Sequence, residues 1–181
     1  MTQSQLQRDL PHEADALEPL SMNREEPHDG LGAAVAVTVA VAVAVGDATG
    51  DGRADVAVGA PDETVDSVRN IVLLKGIWSG LGTSGAQSFH QATAGVPGAA
   101  EAGDHFGSSL RPRDINRSSK ADLAIGAYGE DVLPGGYDHE AAWLLRGGAK
   151  GLTSTAATAF SAKAFGYPVI DGGRFADTFG R

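Results

Sequence analysis

Cysteine is absent from the 181 residues, which excludes a disulfide framework and a zinc-thiolate site. Aromatic residues make up only 6% of the chain, so large core anchors are scarce. The hydrophobic fraction of 42% would still support a core, but much of it is Ala and Val. Basic residues are also few. Fourteen Lys and Arg face 23 Asp and Glu, giving a net charge of -9. That balance argues against a nucleic-acid partner or an anionic membrane surface and suits cation binding. No apolar run reaches the roughly twenty residues of a membrane helix. The start of the chain has no basic segment followed by an apolar core, so no signal peptide is visible. Neither G-x-S-x-G nor H-E-x-x-H occurs, and the five histidines (His12, His28, His90, His105, His139) are scattered. Intrinsic catalysis is not expected.

What is present is concentrated in Gly46 to Pro61, GDATGDGRADVAVGAP. Asp47, Thr49 and Asp51 stand at alternate positions, Gly52 follows, and Asp55 closes the set. Alternate spacing turns three side-chain oxygens inward on a tightly curled loop, and a glycine after the third permits the turn. The carbonyl of Arg53 is a further candidate oxygen. Hard oxygen donors without His or Cys suit Ca2+ rather than zinc. The loop begins like an EF-hand, but Val58 stands where the twelfth-position glutamate would be, and ADVAVGAP alternates like a strand. The reading is a calcium loop between strands. The plainer alternative is a solvated turn, since Asp and Gly are ordinary turn formers.

The remainder of the chain reads as short strands. Residues 1–30 carry seven acids (Asp9, Glu13, Asp15, Glu18, Glu25, Glu26, Asp29) against Arg8 and Arg24, with three prolines, and are expected to be a disordered tail. Valine occupies every odd position from Val35 to Val45, which favours a strand with both faces apolar and its register poorly specified. Ala54 to Val58 is read as a short strand and Pro61 to Val68 as a polar connection. Asn70 to Lys75 is read as a buried strand, Gly76 to Gly85 as a turn, and Gln87 to Thr93 as a further strand. Gly80, Gly82 and Gly85 match G-x-G-x-x-G formally, but no helix pattern follows, so a dinucleotide site is not expected.

The pattern then repeats. Asp47 and Asp114 are 67 residues apart, as are Asp55 and Asp122, and Gly59 and Gly126; Leu74 and Leu145 are 71 apart, as are Gly80 and Gly151. The four extra residues fall around Pro134. A second strand set follows, including Ala141 to Arg146. The second loop, DINRSSKAD, is degraded: Asp114, Asn116, Ser118, Lys120 and Asp122, with Ser119 where the first loop has glycine and with Arg113, Arg117 and Lys120 adding positive charge. A turn held by Asx-type hydrogen bonds is preferred there over an ion. Repeats of this length, each with several short strands, indicate a propeller blade or similar β-repeat.

Together these residues resemble the FG-GAP repeat of integrin α-chain N-terminal domains. The first copy carries Gly59-Ala60-Pro61 but has Leu31-Gly32 in place of FG. The second carries Phe106-Gly107 but has Gly126-Ala127-Tyr128 in place of GAP. The resemblance implies an all-β fold, a partial β-propeller of two four-stranded blades (31–105 and 106–178) with the start of a third at 179–181. It implies structural Ca2+, a role in adhesion or in protein or carbohydrate binding, and an extracellular or cell-surface place. It also implies an incomplete ring, completed by further blades from the same or another chain. A non-catalytic part of a secreted hydrolase and a non-functional remnant are the alternatives. The first copy is eight residues too long ahead of its loop, in the Val/Ala run.

Overall fold

The computed structural model describes residues 42–65, 68–101, 103–130, 140–168, 175–176 and 179, with the side chains of 63–69 excepted. The expected tail at 1–30, the Val/Ala run before Ala42 and the insertion around Pro134 lie outside the described residues. Among the described residues, eight strands form two antiparallel four-stranded sheets, each a simple meander. The first holds β1 (Ala42–Gly46), β2 (Asp55–Val65), β3 (Val68–Ile77) and β4 (Gly80–Phe89), in that order. The second holds β5 (Ser109–Arg113), β6 (Asp122–Ala127), β7 (Ala141–Gly148) and β8 (Gly151–Ser161). The described helix is one 3-10 turn at Ala162–Phe165. No described helix is long and apolar enough to cross a membrane.

The fold is all-β, as the alternation of small and branched apolar residues requires, but several segments differ from the sequence reading. The strand read as Ala54 to Val58 runs on through Val65, so most of the expected polar connection is strand. The glycine-rich stretch from Gly76 to Gly85 is not a turn. Ile77 pairs with Gly80 across the two-residue turn Trp78-Ser79, and the rest of the stretch is sheet. The GxGxxG glycines accordingly lie on β4. The strand read from Gln87 ends at Phe89, and residues 91–95 turn instead. Glycine marked turns correctly only where the chain also reverses.

The two sheets repeat each other closely. Val58 pairs with Val72 in the first, and Ile125 with Trp143 in the second, at the same sequence offsets of 67 and 71. Both third-to-fourth strand pairs slip register at equivalent places, between Leu73 and Lys75 and between Leu144 and Arg146. The core lies between the sheets. Ile71, Leu73 and Ala57 of the first meet Leu123, Ile125, Trp143 and Leu145 of the second. Ala44 and Ala57 on the first sheet leave room opposite Pro112 and Leu123 on the second.

The same fit fixes the face of β1. Ala44 is buried toward the second sheet, while Val43 and Val45 point away, 60% and 58% exposed. A shift by one residue would drive valine into space where a Cβ on Gly46 already meets Pro112 Cβ at 2.8 Å. Gly59 shows the same constraint at its limit. A Cβ there would lie 2.1 Å from the carbonyl oxygen of Gly107. Gly126 repeats it, with the Ala176 carbonyl oxygen 2.2 Å from its would-be Cβ. Ser109 donates its hydroxyl to that same carbonyl at 2.7 Å. Phe175-Ala176 therefore sits against the second sheet as Phe106-Gly107 sits against the first.

A polar clamp completes the junction between sheets. The Gln87 amide group donates to the Leu152 carbonyl at 3.0 Å and accepts the Leu152 N–H at 2.8 Å. Because a side chain at residue 59 would strike main chain rather than a movable side chain, Gly59→Ala is expected to destabilise the fold by about 1–3 kcal/mol, as overpacking does. Urea unfolding at equilibrium measures it, and Gly126→Ala should lose a similar amount.

Candidate functional site

The first loop joins β1 to β2, and its four acidic and hydroxyl side chains take different parts. Asp55, 1% exposed, opens β2 from inside the core. Its Oδ2 accepts the N–H groups of Ala48 at 2.9 Å and Thr49 at 3.1 Å. Its Oδ1 accepts the N–H of Gly76, 21 residues further on, at 3.0 Å. A buried carboxylate is costly unless its oxygens are paired, and here backbone donors pair them. Asp55 thereby ties the start of the loop to the end of β3.

Asp47 organises the loop itself. Its Oδ1 accepts the N–H groups of Gly50 at 2.6 Å and Asp51 at 3.2 Å, and its Oδ2 that of Gly52 at 2.8 Å. Thr49 donates its hydroxyl to Oδ1 at 3.2 Å. Desolvation raises the carboxyl's pKa, but the amides of Gly52, Gly50 and Asp51 and the Thr49 hydroxyl together outweigh it. The result lies below the usual aspartate value. Gly50 and Gly52 turn the chain around this carboxylate with φ of 75° and 82°.

Asp51 is engaged by a neighbour. Its Oδ1 accepts the Arg53 N–H at 2.9 Å, and its Oδ2 pairs with the Arg53 guanidinium. That guanidinium also donates through Nε to the Gly76 carbonyl at 3.1 Å. It lies 5.3 Å from the ring centre of Trp78, which is 93% exposed at the tip of the β3–β4 hairpin. The sequence reading took Arg53 for its carbonyl alone; its side chain and Trp78 were missed. No spacing rule would have joined residues 53 and 78, because the sheet brings them together.

The second loop keeps the frame with other residues. Asp122, fully buried, accepts the N–H of Ile115 at 3.2 Å and that of Gly147 at 2.9 Å. Its Oδ1 also accepts the Asn116 amide at 3.3 Å, and Arg146 lies 3.7 Å away. Asp114 accepts the N–H groups of Ser118 and Ser119, each at 2.9 Å. Asn116 Oδ1 shares the Ser118 N–H at 2.9 Å, the Asx-type bond expected from sequence. Arg117 and Ser119 stand where Gly50 and Gly52 stand in the first loop, and hold φ of 59° and 61°. Lys120 stands where Arg53 does and folds back toward the Ser118 carbonyl, 3.5 Å away. The left-handed backbone thus survives the loss of both glycines, at a cost in strain.

The donor chemistry of the first loop suits a hard cation: oxygens only, three of them carboxylates. Asp47 Oδ1 and Thr49 Oγ1, 3.2 Å apart, are close enough for one ion at about 2.3–2.6 Å from each. Asp51 would first have to leave Arg53. Among the described residues, no three His, Asp or Glu side chains stand grouped as a metal centre.

Two expectations follow from this geometry. Ser119→Gly relieves a left-handed non-glycine residue and should stabilise the fold by about 1 kcal/mol in urea unfolding. Asp122→Ala strands the amides of Ile115 and Gly147 and should destabilise by about 3 kcal/mol, with Asp55→Ala similar. Because the folded pKa of Asp47 is depressed, its contribution is complete above the unfolded aspartate value. It is lost as pH falls through the folded one. In an NMR titration, Asp47 should titrate below a free aspartate.

Residues 39–72 match the family model described as FG-GAP repeat. The matched span includes the whole first loop and its buried anchor Asp55. No curated protein matches the chain. The FG-GAP match falls on the first of two four-stranded, blade-like sheets in an all-β fold.

Proposed function

We propose that this protein is a non-catalytic binding module of integrin-α-like type, in which the first loop takes Ca2+ and thereby stiffens the surface that meets a protein or carbohydrate partner outside the cell. The observation that carries the reading is the first loop itself. It lies within the FG-GAP match, and Asp47 is held charged there by backbone donors. Asp47, Thr49, Asp51, the Arg53 carbonyl and Asp55 would supply the oxygens, Asp55 through the one Oδ1 lone pair that its three amide bonds leave. The ion would supply charge neutralisation and a fixed loop shape. The second loop, with two carboxylates and Lys120 beside them, would remain a hydrogen-bonded turn.

Arg53 has a part in this reading. Its guanidinium already provides a positive charge to Asp51, so an ion entering the loop competes with a cation that the chain carries with it. That competition favours weak binding, with Kd of about 0.1–1 mM, as in extracellular modules. At ~1 mM Ca2+ the tighter limit stabilises the fold by ~1.4 kcal/mol. Such a site fills outside cells and stays empty at micromolar Ca2+.

Thermal melting with and without 5 mM CaCl2 tests the reading. The wild type should melt higher with the ion, and Asp51→Ala should lose that shift while Asp114→Ala keeps it. An unchanged wild-type melting temperature would contradict the proposal. Arg53→Gln removes the competing guanidinium and should tighten Ca2+ binding several-fold by calorimetry.

A further inference from the structure

The second sheet turns one face to the core and the other away from it. Across the outer face, Ser109, Gly126 and Ala142 form one cross-strand row, and the Ala176 carbonyl lies against it. Arg111, Ala124 and Leu144 form the next row. Beyond that Arg113 pairs with Asp122, and Arg146 on β7 lies 3.7 Å from the Asp122 carboxylate. The second and third rows therefore hold three arginines beside the half-buried Ala124 and Leu144.

The first sheet shows what this face is not built for. By the 67-residue offset, Arg111 and Arg113 correspond to Ala44 and Gly46. Those two are small because the second sheet lies on them: a Cβ on Gly46 would stand 2.8 Å from Pro112 Cβ. Long cations in their places bar a neighbouring sheet from the same approach. Nor are these cations neutralised within the chain. Both are exposed, and among the described residues neither Arg111 nor Arg113 makes a hydrogen bond or an ion pair. Asp122, the one carboxylate in these rows, is fully buried and already accepts the N–H groups of Ile115 and Gly147 and the Asn116 amide. On a chain of net charge -9, the face is a local patch of the opposite sign. Its field reaches about 8–10 Å at ordinary salt.

We infer that this face binds an acidic segment of a partner protein, laid along β5 in extended form with carboxylates at alternate positions. A guanidinium takes one carboxylate through two parallel hydrogen bonds. Arg111 and Arg113 leave β5 on one side about 6.7 Å apart, which is also the period of a second extended chain. Alternate carboxylates of such a chain meet one guanidinium each. Ala124 and Leu144 give the methylene stems of those acids an apolar floor. Arg146, two strands from Arg113 and so about 10 Å away, adds to the potential. A long polyanion, such as a nucleic acid or a sulfated polysaccharide, would run beyond the patch into the field of a chain of net charge -9. A short acidic segment meets the patch alone. The inference rests on the binding reading above for having a partner, and on the sheet rather than the loop ion for its site.

Fluorescence anisotropy of a labelled eight-residue peptide alternating Glu and Thr, titrated with the full chain, tests it, with circular dichroism as the fold control. In 50 mM NaCl the wild type should bind with Kd of about 0.1 mM, as two charge-assisted pairs on an open surface allow. Binding should weaken about tenfold at 0.5 M NaCl. Arg111→Gln and Arg113→Gln, at exposed positions, should each keep the fold and weaken binding about fivefold. Arg113→Lys should weaken it too, because lysine keeps the charge and loses the fork. Arg117→Gln, which removes an exposed cation of the second loop, should leave binding within about twofold. The inference is overturned by a wild type that does not bind at 1 mM, or by binding that survives loss of both Arg111 and Arg113. Equal binding of a peptide with the same composition but its glutamates in one block overturns it as well. So does tighter binding of heparin than of the peptide at the same arginines, which would mean a sulfated polysaccharide. Each titration is run in EDTA and in CaCl2. Failure of the peptide beside an intact Ca2+ melting shift removes this partner and leaves the loop reading standing, and peptide binding without a Ca2+ shift does the converse.

Discussion

The structure depends on two buried carboxylates. Asp55 and Asp122 each begin the second strand of a sheet, lose almost all contact with water and accept main-chain N–H groups from two separate places. One place is the loop just before; the other is a glycine near the end of the third strand, Gly76 or Gly147. A charge taken out of water at this cost must be fully paired, and backbone amides are the donors that do not depend on side-chain conformation. Each pairing fixes loop, second strand and third strand together. The rest of the first loop hangs from that anchor. Asp47 shapes the curl, Thr49 closes on it, and Asp51 and Arg53 lie outermost.

The second loop shows that this frame is independent of what it holds. Both glycines are gone, and the alternate oxygens have become Asn116 and Ser118. Yet Asp114 gathers the same turn, and Asp122 holds the same distant amide. A frame retained after its donor set has thinned is a structural device first. Cation capture, as proposed for the first loop, is an addition to it. The basic residue shared by both loops, Arg53 or Lys120, neutralises part of the acidic cluster from within.

The sequence made the fold class legible because apolar alternation, the two aspartate loops and the 67-residue offset all pointed to repeated β-units. It also gave the two loops and their relative completeness. It misjudged the stretch from Gly76 to Gly85, because glycine signals a turn and equally a close approach. Gly76 is glycine because the Ala54 carbonyl oxygen would lie 2.2 Å from a Cβ there. It could not give Asp55 its partner, since no local pattern relates residue 55 to residue 76. The side on which the Val/Ala run faces the core was undetermined for a similar reason. Both faces are apolar, and size alone, set by Pro112 across the junction, separates Ala44 from its valine neighbours. Phe175-Ala176 occupies the place against Gly126 that Phe106-Gly107 takes against Gly59. Position there is set by a carbonyl, which every residue has.

Amide hydrogen exchange at Gly76 and Gly147 tests the anchor most directly. In the absence of added cations, both N–H groups should exchange as slowly as those of the central strands, and far more slowly than that of Gly50, whose partner Asp47 lies near the surface. Asp55→Asn should accelerate Gly76 while leaving Gly147 slow. Exchange of Gly76 and Gly147 at the rate of Gly50 in the wild type would contradict the account, because the buried carboxylates would then not be holding the loops to their sheets.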